Sequence, residues 1–174
     1  RPKSSPVIRL FSILADRDLV DIRIHTADQS QSFSDSVAAT EPSADAEVES
    51  IDTGALADEG AEQIEVPLER LAWARSGDKG DKANIGVMAR KREYFPWIAA
   101  ALTESYVASR FAHFMASPEM DRYALPGLPA LNFVLHHALG GGGVASLRND
   151  PQAKGYAQIQ LDTPVSIPAQ LLED

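Results

Sequence analysis

The sequence predicts an α+β sandwich, and three observations carry that expectation. Strand-like runs, alternating or densely apolar, recur at Val20–Ile24, Leu68–Ala74, Asn84–Arg90 and Ile159–Ile167. Helix-compatible spacing of apolar residues fills other stretches, chiefly Glu93–Leu102, Thr103 to about Met115, and Pro129–Leu139. The connections are of both kinds, hairpin-like across Ser76–Asn84 and crossover-like between the helical stretches.

Composition bounds the rest. The chain has 174 residues, room for one domain and an extra segment, and no cysteine, so no disulfide frame, thiolate nucleophile or thiolate metal ligand. The apolar share of 44% with few aromatics suits a core of cytoplasmic type, and no apolar run approaches the roughly 20 residues that span a bilayer. The net charge of −9 is unevenly spread. Eleven acids and no Lys or Arg lie between Thr26 and Glu65, leaving 14 acids against 16 bases elsewhere. A remainder so close to neutral offers no clustered basic face for nucleic acid.

In order along the chain, residues 1–25 contain the alternating run Val20, Ile22, Ile24 and read as the closing segment of something larger. The start without Met fits a processed chain or a portion of a longer protein. Residues 26–64 are rich in Ser, Asp, Glu and Ala without sustained period, and are expected to form a disordered, self-repelling acidic linker. Residues 65–174 form the compact domain. Its strands Leu68–Ala74 and Asn84–Arg90 flank the charged stretch. A helix over Glu93–Leu102 tolerates Pro96 in its first turn, and Thr103 caps a second helix. Met120–Leu125 is expected as a strand, Pro129–Leu139 as a helix, Val144–Leu147 as a strand, Pro151 to about Gln158 as a helix and Ile159–Ile167 as the last strand. Pro164 places that strand at an edge.

The stretch Arg75–Val87 concentrates charge, small polar residues and three glycines between apolar runs. One reading is anion capture by turn amides with Lys79 and Lys82. It is not a P-loop, because Gly-x-x-x-x-Gly-Lys-Ser/Thr is absent. Asp78, Asp81 and Asn84 as oxygen ligands lack the EF-hand spacing, so no metal is expected. The competing reading is a tight turn whose Asp and Ser side chains satisfy their own backbone. Gly140–Gly143 allows the same two interpretations: a helix cap that needs one glycine, or a loop making a close approach to a ligand or interface. Asn132 and His136, four residues apart, share a face on the expected helix beside these glycines. No nucleophile elbow, paired-carboxylate signature or dinucleotide fingerprint occurs, so no catalytic residue and no cofactor is assigned.

Ala74-Arg75-Ser76-Gly77-Asp78-Lys79-Gly80, Ala83-Asn84-Ile85-Gly86-Val87, Arg122-Tyr123, Ala130-Leu131-Asn132-Phe133, Leu139-Gly140-Gly141-Gly142-Gly143-Val144 and Asp150-Pro151-Gln152 with Lys154-Gly155 occur in that order. Together they resemble the C-terminal domain of the acyclic terpene utilisation (AtuA-like) family over about Val66–Leu172. Ser5-Pro6-Val7-Ile8-Arg9-Leu10 resembles the end of that family's large N-terminal domain, which the resemblance makes a partner within the same protein. A ferredoxin-like fold with helices on one face of an antiparallel-dominated sheet is implied, along with a place in the breakdown of acyclic terpenes through coenzyme A thioesters. Asp81 departs from the family, which often has a small residue there. The expected ligand site for an anion of acyl-CoA or carboxylate type therefore comprises Ser76, Gly77, Asp78, Lys79, Gly80, Asn84 and Gly86 with Asn132, His136, Gly141 and Gly142. The alternative is a purely structural or oligomerisation module, since open sheet edges favour homo-oligomers.

Overall fold

A computed structural model of the chain describes residues 6, 13–33, 61–125 and 127–172. The chain divides into two compact units, with 13–33 in one and 61–172 in the other. In the first, β1 (Arg23–His25) and β2 (Ser30–Ser32) form an antiparallel hairpin, pairing Arg23 with Ser32 and His25 with Ser30. Of the alternating run Val20–Ile24, only Arg23 and Ile24 enter the strand, which is exposed along its length, and the hairpin straddles the expected boundary at residue 25. Most of the acidic linker, 34–60, lies outside the described residues, as does most of the stretch resembling the end of an N-terminal domain.

The second unit is α+β. A four-stranded antiparallel sheet has the order β4 (Ala72–Lys79), β5 (Lys82–Ala89), β7 (Ala130–Leu135), β6 (Met120–Ala124). Since β7 runs antiparallel to both neighbours, β5 and β6 are parallel with β7 between them. Helices α1 (Phe95–Ala101) and α2 (Glu104–Phe111) carry that crossover, a split β-α-β unit of the ferredoxin-like kind. After β7, α3 (Tyr156–Leu161) leads to β8 (Pro164–Pro168), which pairs with β3 (Gln63–Pro67) in a separate two-stranded sheet. The hairpin strand β4 thus holds the sheet edge beside β5.

Pleating assigns each strand two faces. Ala72 on β4, Ala83, Ile85, Val87 and Ala89 on β5, and Leu131, Phe133 and Leu135 on β7 point into a core closed by Ile98, Val107, Phe111 and Tyr156 from the helices. Trp73, Arg75, Gly77 and Lys79 on β4, with Lys82, Asn84, Gly86 and Met88 on β5, occupy the opposite face. No helix of the described residues covers that face.

Several elements keep their expected place. Pro96 sits in the first turn of α1, and Thr103 Oγ1 accepts from Tyr106 N at 3.2 Å, capping α2. The largest correction is Pro129–Leu139, a strand rather than a helix. Leu131, Val134, Leu135 and Ala138 have helical spacing, but Leu131, Phe133 and Leu135 alternate equally well, and ladder bonds on both sides, to β5 and β6, decide for the strand. Asn132 therefore sits on β7, and His136 in the turn that follows. Leu68–Arg70 forms a 3-10 turn, and the two hairpin strands run on into the charged stretch, leaving only Gly80 and Asp81 between them. Residues 143–145 form a turn and 146–147 are irregular instead of a strand, α3 begins at Tyr156 rather than near Pro151, and 159–161 belong to that helix.

Candidate functional site

The charged stretch is mostly strand, so its side chains separate by parity. Ser76 is buried on the core side: its hydroxyl donates to Ala153 O and accepts from Ala157 N at 2.8 Å. It also lies 3.3 Å from Lys154 O, while Asp150 accepts from Lys154 N at 2.9 Å and Gly155 N at 2.8 Å. Lys154 is thereby held at both ends of its peptide, beside the edge strand β4. From there its side chain crosses to the open face, where Nζ lies 3.3 Å from the position a Cβ on Gly77 would take. Gly77 gives that ammonium its room.

A second ammonium arrives from Lys79. Its Nζ donates to Asp78 O at 2.9 Å and to Asn84 Oδ1 at 3.3 Å. Asn84 Nδ2 in turn donates to Asn132 Oδ1 at 3.2 Å. The relay runs in one direction, from ammonium to amide to amide, and among the described residues the Asn132 amino group at its end meets no acceptor. Asp78 holds Lys79 through its carbonyl, and its carboxylate pairs with no cation among the described residues. Arg75, Lys79, Lys82 and Lys154 likewise face no carboxylate within 4 Å among those residues. Uncompensated cations beside oriented amides attract an anion.

Asn132 also borders a groove of about 530 Å³ on the same face. Gly86 forms its floor, Trp73 and Arg75 one wall, and Tyr123 the other, with Met88 and Leu128 at its margins. Trp73 is held by Arg90, whose guanidinium carbon lies 4.9 Å from the ring centre.

Gly80, Gly141 and Gly142 do something different. Gly80, at φ +65, takes the first central position of the two-residue β4–β5 turn, the position glycine favours in type II′ hairpins. The tetraglycine folds back onto it. A Cβ on Gly142 would stand 2.5 Å from Gly80 O, so backbone meets backbone there. Asp81 anchors the contact: its carboxylate accepts from Gly141 N at 2.7 Å and its carbonyl from Ala138 N at 2.9 Å and Leu139 N at 3.2 Å. The two glycine motifs converge, but as a closed fastening. His136 stands apart, with Nε2 2.8 Å from Asp121 Oδ2 and Nδ1 3.9 Å from the Glu119 carboxylate. The His136 hydrogen bond holds the Asp121 carboxyl below the ordinary range, and the charge of Asp121 raises the Tyr123 phenol above its own.

The expected residues therefore form two groups and one outlier. Gly77, Lys79, Asn84, Gly86 and Asn132 share the open face. Ser76, Gly80, Gly141 and Gly142 are scaffolding, with Asp78 contributing a carbonyl, and His136 lies outside the groove lining. Sequence reasoning missed Lys154, Arg75 and Trp73 as members of the face and Asp81 as the anchor. Period-2 alternation continued from Ala72 to Lys79 would have placed Trp73 and Arg75, whereas nothing local marks Lys154. No group of three or more His, Asp or Glu that could hold a metal occurs among the described residues.

Residues 66–166 match the family model of the AtuA ferredoxin-like domain. The chain belongs to this family. No curated protein and no solved structure matches it. The AtuA ferredoxin-like domain begins in β3 and ends in β8, so the family match takes in the open face, the fastening and the Lys154 loop together.

Proposed function

We propose that this AtuA ferredoxin-like domain is the accessory domain of an acyclic terpene utilisation-type catabolic protein, and that it binds an anion of carboxylate or acyl-CoA type. One observation carries the reading: two ammoniums, Lys79 and Lys154, converge at Gly77 and Asn84 without a compensating carboxylate among the described residues. The anion sits against both, with the free amino group of Asn132 as a third donor. Ser76 acts indirectly, by holding the Lys154 peptide. Charge-assisted hydrogen bonds contribute about 1.5–3 kcal/mol each, enough to select an anion at an exposed site.

The alternative, a purely structural or oligomerisation module, also has its observation. Trp73, Met88, Tyr123 and Leu128 stay 40–53% exposed on one face. Titrating the full chain with coenzyme A, butanoate and inorganic phosphate separates the readings. At least one probe binds, and Lys79→Ala combined with Lys154→Ala weakens it tenfold or more with the fold intact. Equal binding by the double variant, or no binding of any probe at 10 mM, a ceiling of about −2.7 kcal/mol, overturns the proposal.

A further inference from the structure

The fold does not need the glycine at position 86. Its backbone is outside the left-handed region, and a Cβ built there would meet only Arg75 O, at an ordinary 3.8 Å. Alanine or valine would suit the middle of β5 better, because glycine weakens a strand interior. What a side chain at 86 would fill is the floor of the groove between Trp73 and Tyr123. A strand glycine without an internal reason marks close approach by another group.

We propose that this groove is a subsite for a hydrocarbon chain and that Gly86 sets which chains enter it. The proposal rests on the anion reading above for the polar end: the ligand is an amphipathic carboxylate, its head at Lys79 and Lys154 and its chain laid across Gly86. Asn132 joins the two parts, lining the groove and ending the relay from Lys79. The volume of about 530 Å³ falls within the roughly 300–1,000 Å³ of small-molecule sites. Charge decides the occupant. Two copies meeting through this face would bring the unpaired cations of both into one desolvated layer. A chain carrying its own negative charge covers the apolar walls and neutralises the cations at once.

The test is a chain-length series. Linear carboxylates from butanoate to decanoate, kept below micelle-forming concentrations, are titrated into the full chain, with 1-butanol to 1-octanol as a neutral series. Affinity for the carboxylates rises about twofold per methylene, half the roughly fourfold that full burial of a methylene gives. Gly86→Val flattens that dependence, with the loss largest for decanoate and smallest for butanoate. Lys79→Ala with Lys154→Ala weakens every carboxylate by one factor and keeps the slope. Gly86→Ala, which fits without a clash, gives an intermediate slope and guards against a folding defect in the valine variant. A length dependence in the alcohols with no preference for carboxylates retains the groove and sinks the anion reading. The groove proposal itself is overturned by a flat series in the parent, by an unchanged slope in Gly86→Val, or by a ligand-free dimer that Met88→Lys dissociates.

Discussion

The two faces of the β4–β5 hairpin are built from alternate residues of the same eight cross-strand pairs, yet they follow different rules. Toward the helices, Ala72, Ser76, Ala83, Ile85 and Val87 are buried, and the one polar group among them, the Ser76 hydroxyl, is satisfied by Ala153 and Ala157. Away from the helices, Trp73, Arg75, Lys79 and Met88 are exposed, and Arg75 and Lys79 face no carboxylate among the described residues. A core face minimises unmet polar groups, because each one left buried without a partner costs about 1–3 kcal/mol. The open face keeps unmet cations and apolar surface side by side. That contrast separates scaffold from candidate site within a motif that reads as one unit.

Substitutions that should cost stability on one side should cost only binding on the other. The largest effect belongs to the fastening. Gly142→Ala puts a methyl 2.5 Å from the Gly80 carbonyl oxygen at a φ of +76, which costs about 3 kcal/mol or more, read as a lower midpoint in thermal or urea unfolding. Next comes Ser76→Ala, which strands the Ala157 N–H and loosens the Lys154 loop. It lowers stability by about 1–3 kcal/mol, and any loss of anion affinity follows from misplacing Lys154. If Ser76→Ala abolished binding at full stability, the hydroxyl would belong to the ligand site and the division between faces would fail.

Gly86→Ala has the opposite sign. It raises stability by about 0.5–1 kcal/mol while reducing the chain-length dependence of binding, and a destabilised variant would show that the fold itself requires this glycine. The smallest effect is at Asp121, whose carboxyl titrates below its unfolded range because of the His136 hydrogen bond. A depressed carboxylate contributes stability that is present above its unfolded pKa, near 3.9, and lost as pH falls through the folded one. Since the pair is at the surface, the contribution is at most about 1 kcal/mol. Asp121→Asn therefore lowers the unfolding midpoint slightly at pH 6, and the difference shrinks as pH falls below the unfolded value.

Much of this was legible in the sequence, for physical reasons that differ by element. The cap at Thr103 and Pro96 in the first turn of α1 depend on local geometry, so they could be read directly. The ends of β4 and β5 could not, because Ser, Gly, Asp and Lys are poor strand formers and enter the ladder only through pairing across the hairpin. Asn132 illustrates the limit in another way. Its spacing to His136 places it on a helix that does not form, yet it belongs to the open face, since its place there comes from pairing with Gly86 and Tyr123. Lys154 was least visible of all. It reaches the site through contacts between residues more than 70 positions apart, which no local pattern records.

On the proposed reading, the open face, and not the glycine fastening, meets the ligand. Following backbone amide shifts of the full chain during an octanoate titration tests it most directly. Saturating shifts are expected at Gly77, Asn84, Gly86 and Asn132, with Ala138–Gly142 and Ala157 unmoved. Shifts confined to Gly140–Gly142 and Asp81, with Gly77–Gly86 still, would contradict it.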